Sequence, residues 1–315
     1  MKATLTLPDD PALPALAAIR TAGLAKLCPS LGLDDRPVEL LLCGYSPGQR
    51  ATLEAQAGDR RVAVKVYADD PALEGALYRA LADAGLGGDS GARVPALLAW
   101  ERDLRVLVIG WLEGPTAHQL VKDWRGARAG ELAARWLQRV ASLPIKLGPR
   151  LGAVQMLEKA DDWVVTVTAA DAALGTAAAA LAGRLALTQP KEQAPHLVHG
   201  TLYARHVLDL GDGPGVIDWQ RFGQGPVELD AGMFLATVAR LGLYHEKLAG
   251  EVALAEEAFL AGTRGLFDER AVAWHRAAAL LHLAARRARH PERHRSGGWL
   301  ELVHALLGEA ARHAQ

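Results

Sequence analysis

The chain has 315 residues, half of them hydrophobic, which is enough to bury a sizeable core in one or two domains. A formal net charge of -1 argues against a global attraction to nucleic acid or to a membrane surface. Cys28 and Cys43 are too few for a disulfide framework and suit a reducing cytoplasm.

Residues 1 to 36 carry little signal of their own. Pro8, Asp9, Asp10, Pro11 and Pro14 interrupt the stretch where a signal peptide needs an unbroken apolar core, and no later run reaches about 18 apolar residues, so the expectation is a cytoplasmic protein. Strand signals follow at Val38 to Cys43, Arg50 to Gln56 and Val62 to Tyr67, with Gly44 to Gly48 and Ala57 to Asp59 as turns. Gly44 and Gly48 serve a simple turn and a close approach to phosphate equally well. Apolar spacing predicts a helix over Ala72 to Ala84, opened by Pro71 and stopped by Gly85. Two short strands, Ala96 to Trp100 and Arg105 to Ile109, lead to Gly110 to Pro115, the best candidate boundary.

Beyond that boundary the reading is mostly helical. Ala117 to Leu143 and Asp171 to Leu187 read as helices, and the tract Ala177 to Ala180 reads as part of a buried one. His199 to Trp219 reads as a loop between two short strands, and 230 to 262 and 270 to 313 return to helix. No internal repeat is visible.

Chemistry-bearing residues lie in four separated pieces. Lys65 sits in the β-branched run Val62-Ala63-Val64-Lys65-Val66, and Glu74 lies early in the next helix. A strand lysine can neutralise nucleotide phosphates while a helix glutamate holds it as an ion pair. An isolated strand lysine is ordinarily a solvated edge charge, but the apolar flanks and the nearby helix favour the phosphate role. The third piece is the loop at 199 to 208. The fourth is Asp218, which ends a hydrophobic strand and can place a carboxylate on the divalent ion bridging β- and γ-phosphates.

The order and spacing of these pieces resemble the aminoglycoside phosphotransferase and choline kinase-like family, relatives of the protein kinases. Its loop commonly reads His-Gly-Asp-Leu-His-Pro-x-Asn-Val-Leu, and the same ten positions here read His199-Gly200-Thr201-Leu202-Tyr203-Ala204-Arg205-His206-Val207-Leu208. Ile217-Asp218-Trp219 matches the family's Ile-Asp-Trp segment, Gly223, Gly225 and Asp230 match its downstream pattern, and Tyr45 to Arg50 resembles the Tyr-x-Pro-Gly-x-Arg opening of some members. The resemblance covers about residues 38 to 240. It implies a bilobal, protein kinase-like α+β fold. An antiparallel sheet with one helix forms an N-terminal lobe over 1–112, including an extension at 1–36, and 113–315 forms a helical C-terminal lobe. It further implies ATP between the lobes, with Lys65 on the phosphates, Glu74 holding Lys65, and the backbone from Ile109 to Leu112 near the adenine. Asp218 then holds Mg²⁺, and Asp230 braces the loop.

Two departures bear on activity. Thr201, beside His199, occupies the position of the aspartate that orients the acceptor hydroxyl and takes its proton, and threonine cannot act as a base near neutral pH. His206 replaces the asparagine of the second metal site, where imidazole suits Mn²⁺ better than Mg²⁺. The expectation is an ATP-dependent phosphotransferase for a small hydroxyl compound, impaired by Thr201; the alternative is a pseudokinase that binds nucleotide or a protein partner without turnover.

Other features have plainer readings. His275, His282, His290, His294, His304 and His313 lack a metal-ligand spacing and fit solvated helix faces. The basic segment 286–295 lacks interleaved aromatics and fits a solvated helix end and loop rather than an RNA site. Trp111, Trp124, Trp136, Trp163 and Trp219 fit core or linker packing. Acidic and basic residues balance over 225–315, so no acidic cleft for a polycationic acceptor is advertised.

Overall fold

In the computed structural model, which describes residues 7–33, 37–191, 194–290 and 298–314, the chain divides into two compact units, Met1–Glu113 and Gly114–Gln315. Residues 1–6 and 34–36 of the extension, and 291–295 of the basic segment, lie outside the described residues.

The first unit is built on an antiparallel sheet. β1 (Glu39–Ser46), β2 (Arg50–Ala57), β3 (Arg60–Tyr67), β4 (Leu97–Glu101) and β5 (Val106–Gly110) lie in the order β1-β2-β3-β5-β4. Alternation along β3 sends Val62, Val64 and Val66 into one core with Leu53, Ala55 and Val108, which leaves Lys65 on the opposite face. α3 (Ala72–Leu81) buries Glu74, Leu77, Tyr78 and Leu81. It ends in a wider turn over Ala82–Leu86, where Gly85 takes a φ of 84° that favours glycine.

The extension adds two helices to the single one expected. α1 (Pro14–Ala22) and α2 (Leu24–Leu27) bring Leu13, Leu16, Ile19 and Leu24 into the core formed by Val62, Val64 and Val66. Asp10 clasps the first hairpin: its carboxylate accepts from the Tyr45 hydroxyl at 2.9 Å and the Gly48 N–H at 2.8 Å. That Gly48 contact is the main reason its carboxyl is held below the usual carboxylate range. The hairpin turn is also tighter than expected. β1 continues through a bulge at Leu42 and Gly44 to Ser46, which pairs with Arg50, and only Gly48 needs a left-handed φ, 69°.

In the second unit the expected helix over 117 to 143 is two, α4 (Ala117–Lys122) and α5 (Gly126–Ala141). The chain breaks at Trp124, which takes a φ of 59° and is 62% exposed rather than packed. A helix unassigned from sequence, α6 (Ala153–Ala170), pairs with α7 (Ala172–Leu187), whose N-cap is Asp171. Within Ala177 to Ala180 only Ala178 is buried, so α7 lies at the surface.

β6 (His196–Val198) pairs with β9 (Gly223–Gly225), and β7 (Val207–Asp209) with β8 (Pro214–Val216). Four helices complete the unit: α8 (Val227–Tyr244), α9 (Ala249–Gly262), α10 (Glu269–Arg289) and α11 (Trp299–His313). Each of the two long C-terminal helical stretches expected is thus two helices. α5 lies so close to α9 that a Cβ on Gly130 would stand 2.1 Å from the Ala255 carbonyl oxygen. α10 is the central helix, and its Trp274, Ala278, Leu281 and Ala285 form a core with α6, α7, α8 and α11. Among the described residues no helix is long and apolar enough to cross a membrane.

The extension's contribution is measurable. Leu16→Ala should lower stability by about 2–5 kcal/mol, because Leu16 is fully buried against the sheet. Urea denaturation followed by tryptophan fluorescence checks it; a loss below a few tenths of that figure would mean the extension is only loosely seated.

Candidate active site

Lys65 and Glu74 meet within the first unit. Their side chains form a buried ion pair, with Lys65 only 3% and Glu74 6% exposed. Tyr67, two residues along β3 and so on the same face, donates its hydroxyl to the other oxygen of Glu74 at 2.7 Å. The pair therefore has a fixed geometry. Period-two alternation from Lys65 was the signal that could have found Tyr67. Ile109 lies on β5, two residues from Leu107, the cross-strand partner of Lys65, and Leu112 follows just past the strand's end.

The second unit gathers His199, Thr201, His206 and Asp218. Asp230, in the first turn of α8 and fully buried, accepts from the N–H of His199 at 2.6 Å and of Gly200 at 2.9 Å. Burial pushes its pKa up to about 7 against the pull of those two N–H groups. Gly200 takes a φ of 74°, and a Cβ there would stand 2.2 Å from the Arg221 carbonyl oxygen, so both backbone shape and space require glycine. Further along, Thr237 Oγ1 accepts from the Ala204 N–H at 2.9 Å. α8 thus anchors the loop at two points.

Hydrogen bonding sets the orientation of both histidines. His199 Nε2 donates to the Ile217 carbonyl at 2.9 Å, and its Nδ1 lies 3.4 Å from Thr201 Oγ1. The ring is fully buried against Trp219, with centroids 4.8 Å apart. His206 Nδ1 donates to the Thr201 carbonyl at 2.8 Å. Burial, reinforced by the neighbouring His199, pushes the His206 pKa down to about 3, so the ring is neutral and Nε2 carries a lone pair. That lone pair lies 3.4 Å from Asp218 Oδ2. Asp218 is 42% exposed and takes a left-handed φ of 68°, a conformation a non-glycine residue holds only when its surroundings impose it.

Two electron-pair donors side by side fit a shared cation. Adjacent ligands on one divalent ion stand roughly 3 Å apart, close to the observed spacing. Among the described residues no group of three or more His, Cys, Asp or Glu side chains could hold a metal alone. Divalent ions in phosphoryl-transfer sites commonly take only one or two protein ligands and complete their shell with phosphate and water. His206 and Asp218 suit that arrangement.

A support missed from sequence is Asp209, at the end of β7. Arg128 grips it with two bonds of 2.7 and 3.1 Å and Arg125 adds one of 3.2 Å, which holds its carboxyl below the usual range. The arginines lie some eighty residues upstream, beyond any local pattern. The C-terminal histidines also differ from expectation: His275 is buried and His282 nearly so, and burial lowers both pKa values, to about 3 and about 4.

A family model described as the phosphotransferase enzyme family matches residues 48–265. No curated protein matches the chain by sequence. Among solved structures, a choline/ethanolamine kinase family protein from Mesorhizobium loti is 16% identical, with 94% of each chain covered and a TM-score of 0.62. The choline kinase LicA from Streptococcus pneumoniae is 14% identical over 95% of this chain and 99% of its own, with a TM-score of 0.61. A spectinomycin phosphotransferase solved with ADP and spectinomycin is 12% identical over 90% and 94%, at 0.58. At these identities the likeness speaks for the fold, which is the protein kinase-like α+β fold of choline kinases and aminoglycoside phosphotransferases. Since the family model runs from the first hairpin to the end of α9 and takes in both Lys65 and Asp218, the chain belongs to the phosphotransferase enzyme family.

Proposed function

We propose that this protein transfers a phosphoryl group from ATP to the hydroxyl of a small molecule, at a rate limited by Thr201. The observation that carries the reading is the buried Lys65 and Glu74 pair. A buried ion pair is seldom worth its desolvation as a stabilising device, so its presence in a member of this family favours a ligand role. Lys65 would neutralise the phosphates of ATP, with Glu74 and Tyr67 fixing its position. Solved relatives carrying ADP, such as the spectinomycin phosphotransferase, support the nucleotide assignment. The backbone from Ile109 to Leu112 would face the adenine.

Asp218 and His206 would hold the divalent ion, which when bound neutralises charge on the β- and γ-phosphates. An imidazole in the site favours Mn²⁺ over Mg²⁺. The acceptor oxygen bonds to the γ-phosphorus as the bond to the β–γ bridging oxygen breaks, ADP leaves, and the acceptor's proton passes to water. Thr201 can orient that hydroxyl but cannot take the proton. His199 cannot take it directly either, being fully buried; its Nδ1 positions the Thr201 hydroxyl. Phosphoryl transfer depends chiefly on positioning and charge neutralisation, so turnover survives at a reduced rate.

The second reading, nucleotide binding without turnover, is favoured by the same two residues, Thr201 and His206, standing where an aspartate and an asparagine are expected. Two experiments separate the readings. Isothermal titration of ATP should show metal-dependent binding, tighter with Mn²⁺ than with Mg²⁺. Asp218→Ala should abolish it and His206→Asn should shift the preference toward Mg²⁺; metal-independent binding would remove Asp218 from its role. In a second assay, Thr201→Asp should raise ATP turnover by about tenfold or more, because general-base help is worth roughly 10²–10⁴-fold. A folded variant with no added turnover would favour the pseudokinase.

A further inference from the structure

Within the second unit, α8, α10, α11 and the loop after Thr201 surround a cavity of about 310 Å³. Its walls carry His118, Arg205, Arg240, Arg286 and Arg287 and, among the described residues, no acidic side chain. Leu283 and Leu306, both buried, supply an apolar side. The basic stretch that begins at Arg286 therefore turns partly inward.

Like charges are seldom gathered this way without a counter-charge. Three other arginines with restricted exposure are paired: Arg276 with Glu256 and Glu309, Arg128 with Asp209, Arg61 with Glu54. Among the described residues Arg205, Arg240 and Arg286 enter no ion pair. Arg205 and Arg286 instead approach one aromatic ring, that of Tyr203, at 4.4 and 6.0 Å from its centroid. Arg240 is half-buried, and its pKa is lowered first by that burial and then by Arg205, Arg286 and Arg287. Without an anion the cluster is self-repelling.

We infer that this cavity binds the phosphate group of a small organic ligand, with the leucine side taking the apolar part. Guanidinium groups match phosphate with paired N–H donors, and a phosphate dianion offsets more than one of the unpaired charges, which a single carboxylate cannot. Arg205 belongs to the same loop as Thr201 and directly precedes His206, and Asp218 acts electrostatically upon it, so the cavity borders the candidate reaction site. The ligand is accordingly the acceptor, an assignment that rests on the phosphotransfer reading. A cationic acceptor such as an amino alcohol or an aminoglycoside would be repelled.

The test uses the full chain in phosphate-free buffer, without nucleotide or metal. Inorganic phosphate, phenyl phosphate and choline are titrated calorimetrically into the wild type, Arg240→Gln and Arg286→Gln. Phenyl phosphate should bind more tightly than inorganic phosphate, and choline not at all. Each substitution should weaken phenyl phosphate about tenfold or more, as loss of a charge-assisted hydrogen bond implies. Arg286 is exposed, so its variant folds even if Arg240→Gln does not, and circular dichroism checks both. Failure of phenyl phosphate to bind the wild type, or equal binding by a folded variant, overturns the inference, as does choline binding. Metal-dependent ATP binding is measured alongside. Its absence with phenyl phosphate binding intact would sink the phosphotransfer reading and leave an anion site; its presence with no phenyl phosphate binding would do the reverse.

Discussion

The geometry of the second unit turns on one buried carboxylate. Asp230 takes the N–H groups of His199 and Gly200, and everything that follows in the loop is placed from there. Without it two buried N–H groups would lose their acceptor, at roughly 1–3 kcal/mol each. The first turn of a helix is a favourable place for a carboxylate, since the unsatisfied N–H groups of that turn carry partial positive charge. Gly200 then turns against the Arg221 carbonyl, His199 reaches the Ile217 carbonyl, and Ala204 is tied to Thr237. None of these constraints involves the side chain of Thr201. The frame of the loop therefore rests on residues other than the Thr201 side chain.

Charge is handled unevenly across the molecule, and the unevenness is informative. Lys65 is matched by Glu74, Arg128 by Asp209 and Arg276 by two glutamates. Each pairing converts a costly buried charge into a rigid strut. His206 follows the same economy by another route, losing its proton through burial and leaving a lone pair beside Asp218. In the C-terminal cavity Arg205, Arg240 and Arg286 enter no ion pair among the described residues, which is the contrast on which the proposed anion site rests.

What could be read from sequence was what is encoded locally. Lys65 lies within one β-branched run, the loop and Asp218 within about twenty residues, and the strands between 38 and 110 are short apolar or β-branched runs bounded by turn residues. The helix over Ala153–Ala170 went unread because Val164, Val165, Thr166, Val167 and Thr168 favour strand by propensity, and packing against α7 and α10 overrides them. In the extension, four prolines and short helices hid a contribution that only the sheet's second face reveals. The break at Trp124 was invisible because a tryptophan, not a glycine, takes the left-handed φ there. The cavity was unreadable in principle: its arginines come from the loop, α8 and α10, spread from Arg205 to Arg287, and no spacing links them.

Thr201 and the basic cavity bear on one another. An aspartate at 201, four residues before Arg205, would add negative charge to the loop that borders the proposed site of an anionic acceptor. Like charges a few ångströms apart repel by about 1 to 4 kcal/mol at the dielectrics of a protein surface, enough to weaken such a substrate by an order of magnitude or more. A threonine hydroxyl removes that repulsion while keeping a hydrogen-bonding atom near His199 Nδ1. For a cationic acceptor the balance reverses, because the carboxylate then attracts the substrate and takes its proton. If the acceptor is anionic as proposed, a threonine at 201 and the arginines at 205, 240 and 286 would serve the same end, the first by avoiding repulsion and the others by supplying attraction.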